Sequence, residues 1–442
     1  MTTRITRILA LSAGLAWGLG QAGSAPPPAL AGLDAAYLAL DALYRDLHQN
    51  PELSGHEERT AAKLATAMRA LGFDVTERVG GFGVVAVLKN GAGPTVMVRT
   101  DLDALPIREQ TGLPYASTVT TQDDHGETVP VMHACGHDVH MASWLGAATL
   151  LAQSRARWKG TLVFIGQPAE EVLLGAEAMV KDGLLTRFPK PDYVLGIHDT
   201  NLLPAGKVDA VAGPASAASN SVDIVFHGRG GHGALPHLTV DPVLMAARAV
   251  VTLQSIVARE VNALQPAVIT VGTFHAGTKR NVIADDARIE LTVRSYAPEV
   301  QQQLLAAITR IAKAEAAAAG APREPTITLL PEASQPVIND PAMAARLNGA
   351  LRRGLGDANV QRIDPTMASE DFGVYGRLAN APSVQLRLGA IEPAVFEKAR
   401  ATGELAPGVH TAFFAPDRER TLRTGASALT LSVLELLGGG RR

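Results

Sequence analysis

Side chains able to hold a metal ion or move a proton crowd into a few short segments of this chain. The densest is His133-Ala134-Cys135-Gly136-His137-Asp138-Val139-His140. Cys135 and His137 stand two residues apart on a loop ahead of a helix expected over 139–151, a spacing that can serve one ion or two neighbours. Two other readings of Cys135 are open at this point: a small buried hydrophobe, or the nucleophile of a Cys–His hydrolase. Glu170-Glu171 bears on that choice. Adjacent side chains on a turn diverge, so one carboxylate can bind a metal while the other faces the water that the metal polarises. Such a water, with its pKa lowered toward ~7, needs a base beside it. His198 and His410 add two imidazoles, giving with Cys135, His137 and Glu171 enough ligands for two ions sharing a bridge. Two divalent cations against one thiolate and one carboxylate leave an electropositive site that stabilises a hydroxide and a developing oxyanion.

The elements around these residues share one design. Residues 95–100 run into Asp101, residues 161–166 into Gln167-Pro168-Ala169-Glu170-Glu171, and residues 192–197 into His198. Each segment predicts a largely apolar strand with both faces covered by helices. Each releases acidic or imidazole groups at its carboxyl end, the edge where open α/β sheets bind ligands. Upstream, residues 36–48 predict an amphipathic helix, and Ser54-Gly55-His56-Glu57 has the form of a capping box opening a helix over 57–71. Strands are expected over 75–79 and 83–88, with Asn90-Gly91 as a turn. From about residue 216 the pattern changes. Strands over 220–228, 267–274, 287–294 and 325–330 interleave with helices over 241–261 and 298–319, the β-α-β-β-α-β order of a ferredoxin-like unit. Strand and helix then resume, with a strand over 383–388 and a helix near 417–437. The expected division is a leader over 1–31, a first domain split between 32–215 and 332–442, and an inserted domain over 216–331.

Composition narrows the function. The chain of 442 residues carries 40 Lys+Arg against 43 Asp+Glu, a formal charge of -3, so no basic excess is available to neutralise phosphates. General nucleic-acid binding is excluded. Hydrophobic residues at 47% and charged ones at 19% place the chain among folded proteins with sizeable cores, and its length suits two domains. A single cysteine excludes an intramolecular disulfide and any multi-cysteine metal cluster. At the amino terminus Arg4 and Arg7 precede an apolar run over 8–19, small residues and Pro26-Pro27-Pro28, the pattern of a secretory signal peptide with an exit after Ala25 or Ala31. The run is too short for a comfortable membrane span of ~20 residues. The expectation is an exported protein, periplasmic or secreted, with no stable membrane insertion after cleavage.

Several motifs in order resemble the metallopeptidase family M20, in its amidohydrolase subfamily of hippurate, indoleacetyl-amino acid and N-acyl-amino acid hydrolases. They are residues 47–54, Arg99-Thr100-Asp101-Leu102-Asp103-Ala104-Leu105-Pro106, the segment 133–140, and residues 167–171. Gly228-Arg229-Gly230-Gly231-His232-Gly233, Asn281-Val282-Ile283, Glu370-Asp371-Phe372 and His410 complete the series. The resemblance implies a zinc-exopeptidase-like α/β catalytic domain, a mixed sheet with helices on both faces. The ferredoxin-like insertion would be its lid and dimerisation domain.

It further implies a dinuclear amidohydrolase in which a metal-activated hydroxide cleaves the amide bond of an N-acyl amino acid or short peptide. Cys135 would bridge the ions; His137 and His198 would complete one and Glu171 and His410 the other. Glu170 would be the general base, and Asp101 a carboxylate orienting a ligand. His232 would reach the substrate oxyanion, from its own or the neighbouring subunit of a homodimer joined through the lid. Asn281 and Arg294 would contact substrate. The ions would be Zn or Mn, with Co or Ni compatible. Two departures fall near the pocket: Asp199-Thr200 after His198, and the polar, basic Gly277-Thr278-Lys279-Arg280 before Asn281.

Overall fold

The computed structural model describes residues 27–438, so the basic and apolar leader segment over 1–26 lies outside the described residues. Alternating apolar side chains organise the main sheet. In the strand Thr95–Asp101, Val96 and Val98 point to one face and Met97 to the other; in Gly160–Gln167, Leu162 and Phe164 oppose Val163 and Ile165. All seven are fully buried, because successive strand side chains alternate faces and both faces are covered. Each contributes roughly 1.5–3 kcal/mol by leaving water.

Seven strands lie in the order Asp74–Glu77, Val84–Asn90, Gly160–Gln167, Thr95–Asp101, Tyr193–Pro204, Ser383–Ile391 and Val208–Asp209. The four longest-range partners, from Gly160–Gln167 to Ser383–Ile391, run parallel, and the outer strands are antiparallel. The sheet is mixed. Helices Leu33–Gln49, His137–Gln153 and Arg418–Leu436 meet one face around Tyr44, Trp144 and Leu429. Short helices Gly175–Lys181 and Gly373–Ala379 cover the other around Met179 and Tyr375.

The insertion folds as a four-stranded antiparallel sheet, in the order Ala267–Ala276, Asp286–Ser295, Ala218–His227, Thr326–Ser334. Helices Pro242–Ser255 and Pro298–Ala318 pack against it around Phe226, Leu253 and Leu304. The chain order is β-α-β-β-α-β. Asp241 caps the first helix by accepting from the Val243 amide, with Pro242 at the first helical position. A small ladder between Gly213–Ser216 and Val337–Asn339 ties the two passages of chain at the neck of the insertion.

Two local expectations are corrected. Ser54 and Glu57 form no capping box: the helix opens at Glu58, and its first amides, from Arg59 and Thr60, are taken by Glu52. Ser54 donates to Asp103, and Glu57 accepts from the Ala169 amide, so both are drawn to longer-range partners beside the site. The strand carrying His198 does not end there but continues to Pro204. Within the expected leader, Pro28–Leu30 forms a short helical turn in which Leu30 is buried against the catalytic domain.

Candidate metal centre

The carboxyl edge of the parallel strands gathers the chemistry-bearing residues. Glu170 and Glu171 follow the strand Gly160–Gln167, His198 lies within Tyr193–Pro204, and Cys135 and His137 sit at the start of the helix His137–Gln153. Gly136 makes that helix start possible. Its φ is +77°, and a Cβ there would lie 2.3 Å from an Asp199 carboxylate oxygen. Ala169, Leu173 and His410, non-glycine residues around the site, are also held in the left-handed region, each at a cost of about 1–3 kcal/mol. Ala169, at φ +51°, donates its amide to Glu57 at 2.8 Å and so aims the two glutamates that follow. His410, at φ +62°, donates its amide to the Ala134 carbonyl at 2.7 Å, which brings it beside Cys135.

Five side chains converge from four parts of the chain. The Cys135 Sγ lies 3.2 Å from His410 Nε2 and 3.6 Å from His198 Nε2. His410 Nε2 lies 3.4 Å from Glu171 Oε2, and His137 Nε2 lies 3.8 Å from Glu171 Oε1. Cys135, His137 and His198 form one group whose ligand atoms lie within 4.8 Å of one another; Cys135, Glu171 and His410 form a second, sharing the sulfur. Ligand atoms bound at ~2.0–2.3 Å around a tetrahedral cation stand ~3.3–3.8 Å apart. The observed spacings, 3.2–3.8 Å, lie in or close to that range.

Unpartnered atoms point the same way. His137 Nδ1 lies 2.9 Å from the main-chain oxygen of Asp103, and His198 Nδ1 lies 2.7 Å from that of Asp199. Each bond fixes the tautomer that leaves Nε2 free to bind a metal. His137 Nε2 and Glu171 Oε1 are buried with no hydrogen-bond partner, a costly arrangement unless something occupies the gap. A thiolate, three imidazoles and a carboxylate suit borderline divalent cations. The donor set fits a pair of such ions.

Electrostatics agree. Burial lifts the Cys135 thiol well above its ordinary value, and the charges of Glu171 and Glu170 lift it further. Burial also raises Glu171 to about 7, with His137 opposing. Burial and the neighbouring His137, His198 and Arg294 charges lower His410 to about 4, leaving a neutral imidazole. Burial works against a charged His137, but Asp101, Asp103 and Glu171 overcome it and hold the ring well above its ordinary range.

Glu170 is buried at the wall of a cavity of about 480 Å³ that is also lined by Cys135, Glu171, His198, His410 and Arg294. Its Oε2 lies 3.7 Å from His137 Nε2. Burial, then the charges of Glu370 and Glu171, push its carboxyl well above the usual range.

The remaining expected residues fall differently. Asp101 is fully buried; the hydrogen bond to His137 Nδ1 comes from the main chain of Asp103, which sequence reasoning passed over. Asp101 instead pairs with Arg99 and with His140 Nδ1 at 2.8 Å, and His140 Nε2 lies 3.1 Å from Asp199, next to His198. Asp101 also acts on the site directly, with its Oδ2 3.7 Å from His137 Nε2. Arg294 lines the cavity and donates to the Met367 carbonyl at 2.9 Å. His232 and Asn281 do not reach the cavity. They are exposed on a small ladder of the inserted domain, where Asn281 accepts from the Gly233 amide and His232 Nδ1 from the Ala234 amide.

Beneath the cavity the Arg99 guanidinium, itself wholly buried, meets Asp101, Glu370 at 2.9 Å and Asp371 at 3.2 Å. This cluster anchors the Glu370-Asp371 segment to the sheet. Its signal in the sequence was the motif itself, an arginine and two acids in otherwise apolar surroundings.

A buried thiolate–imidazole–carboxylate set at the carboxyl edge of a mixed α/β sheet, with a proton-affine glutamate beside it, defines a metal-dependent hydrolase. Residues 97–411 match the profile of Peptidase family M20/M25/M40, and the chain belongs to that family, whose members hydrolyse amide or peptide bonds. It is 38% identical over 332 residues to the hippurate hydrolase of Campylobacter jejuni, an alignment covering 74% of this chain and 82% of that protein. It is 35% identical over 349 residues to thermostable carboxypeptidase 2 of Saccharolobus solfataricus, covering 78% and 84% respectively. The crystal structure of the Bacillus subtilis YxeP protein, described as a dinuclear metal-binding peptidase, superposes with a TM-score of 0.72 at 31% identity, over 91% of this chain and 99% of that one.

Proposed function

We propose that this protein hydrolyses the amide bond of N-acyl or N-aroyl amino acids, with Glu170 as general base. The observation that carries the reading is Glu170 itself, a buried carboxyl of raised pKa set 3.7 Å from a ligand imidazole and open to the cavity. Cys135, His137 and His198 would hold one ion, and Cys135, Glu171 and His410 the other. When bound, two divalent cations supply the Lewis acidity that lowers the pKa of a water and polarises the amide carbonyl. As a carboxylate, Glu170 accepts the proton of the attacking water. The negative groups around it keep its proton affinity high, so it retains that proton until the leaving nitrogen needs it. Glu57 and Asp103 hold the turn and the imidazole on which this geometry depends.

A screen of N-acyl amino acids against unblocked dipeptides, coupled to metal analysis of the purified protein, tests the reading. Hydrolysis of the blocked substrates with two ions per chain is expected. Faster cleavage of unblocked peptides favours the second reading, a dipeptidase or carboxypeptidase on the same scaffold, which the similarity to a named carboxypeptidase supports. Zn or Mn is the expected ion.

Two further parts of the reading concern the protein's setting. His232 and Asn281 are exposed in one protomer, so their use in substrate binding calls for a homodimer through the inserted domain. Exposed Val243, Leu244 and Val251 on the helix Pro242–Ser255 supply an apolar surface for it. The leader motif supports export, tested by fractionating cells that express the full chain.

A further inference from the structure

Arg387 is a buried cation with no direct ion pair, the Glu370 and Asp199 carboxylates acting on it only from beyond contact distance. It is 4% exposed, and it sits in the strand Ser383–Ile391 opposite His198 on the neighbouring parallel strand. Its Nη2 donates to the Ala215 carbonyl at 3.2 Å and to the Ser216 hydroxyl, while its Nε has no hydrogen-bond partner. Among the described residues no carboxylate comes within 4.0 Å of the guanidinium. The contrast with the other buried arginine is direct: Arg99 is surrounded by three carboxylates. A guanidinium cannot shed its proton to relieve burial, and an uncompensated buried charge is strongly unfavourable. With no direct ion pair and an unpartnered Nε, Arg387 has donor capacity left for an anion entering the cavity.

The cavity shows where that partner comes from. Arg387 lines it together with Arg294, which also makes no ion pair, and the wall between the strands carries Thr200, Asn201 and Ser369. Arginine's planar fork of donors suits a carboxylate in particular. One carboxylate, that of the amino acid released, is present on every N-acyl amino acid and accounts for one arginine. The second arginine is left over.

Resting on the amidohydrolase reading above, we infer that Arg387 receives a second anionic group of the substrate, so that the preferred substrates are amides with two carboxylates. The second carboxylate has two possible sources: the side chain of an acidic amino acid, or the far end of a dicarboxylic acyl group.

N-acetyl-leucine, N-acetyl-glutamate and N-succinyl-leucine distinguish these when offered to the metal-loaded wild type and to Arg387→Met and Arg387→Lys variants. The wild type is expected to favour one of the two dianionic substrates at least tenfold in kcat/KM over N-acetyl-leucine, and which one it favours identifies the source. In Arg387→Met that preference should fall tenfold or more, mainly through KM, with Arg387→Lys intermediate. Succinate should inhibit the wild type competitively, with a Ki at least tenfold higher in Arg387→Met. A wild type indifferent to the second carboxylate overturns the inference. So does an unchanged substrate ratio in Arg387→Met, which would leave Arg387 as a counter-charge for Glu370, Asp199 and Cys135. If Arg387→Met does not fold, the wild-type preference, succinate inhibition and Arg387→Lys decide the matter. Cleavage of N-acetyl-leucine alone sinks only this inference, whereas failure to cleave any of the three sinks the amidohydrolase reading with it.

Discussion

His137 Nδ1 lies 2.9 Å from the main-chain oxygen of Asp103, and the opposite ring nitrogen makes no hydrogen bond. The Asp103 side chain also accepts from Ser54 and from the Glu171 amide, so one residue braces ligands of both candidate ions. Replacing Asp103 with Ala keeps the main-chain oxygen on His137 but removes the carboxylate that holds the Glu171 amide and lies 3.4 Å from His137 Nδ1, and should lower metal affinity about 10–100-fold. Competition against a chelating dye measures this, and an unchanged affinity would refute the bracing role.

Glu170→Gln keeps the shape of the side chain but cannot take a proton. Turnover should fall by about 10²–10⁴, while inductively coupled plasma analysis still finds both ions. Near-normal turnover would remove Glu170 from the mechanism.

The Cys–His hydrolase alternative makes the opposite forecast about reagents. Activity here should disappear with a strong chelator and return when Zn or Mn is added back. His410 is half-exposed in its side chain whereas His137 and His198 are largely buried, so metal should leave in two phases. The group containing Glu171 and His410 should empty first. Full activity in chelator, with loss only on alkylation, would restore the thiol reading.

A buried His48 bridges Asp138 at 2.7 Å and Glu109 at 3.1 Å. Burial alone would lower its pKa, but the two carboxylates outweigh this and hold it at about 9. A histidine raised in the fold from ~6.5 in the unfolded chain stabilises fully below ~6.5, and the effect is lost as pH rises toward the folded value. The Tm difference between wild type and His48→Gln should therefore shrink as pH climbs from 6.5 to 9. A difference that is flat or grows over that range contradicts the assignment.

If His232 serves the partner's site, inactive Glu170→Gln and His232→Ala chains should complement one another. Mixing and reassociating them should yield heterodimers with one intact site, recovering about a quarter of wild-type activity from an equimolar mixture that pairs at random. No recovery from confirmed heterodimers would assign His232 to its own chain.

The strands and the inserted domain were legible because alternating or continuous apolar runs set their faces wherever two layers cover them. The ligands were legible as residue types, but their grouping rested on a family resemblance. Short-range patterns misled where tertiary partners prevailed. Ser54 and Glu57 have capping-box spacing, yet Asp103 and Ala169 claim them. Asp101 and Asp103 are equivalent by motif, and only folding shows that Asp103 bonds His137 while Asp101 bonds His140. Arg387 was invisible because its significance is a missing partner, and a sequence does not show what fails to arrive. His232 and Asn281 carry a family signal whose meaning depends on a surface beyond one protomer.

The turn at Pro28–Leu30 bears on how the amino terminus can be trimmed. The turn packs against the last helix and the one that begins at His137, and Leu30 in it is nearly solvent-free. A peptidase cutting after Ala31 would pull this plug from a finished core, whereas one cutting after Ala25 would leave it seated behind a stiff proline tether. Recombinant versions should accordingly start no later than Pro27.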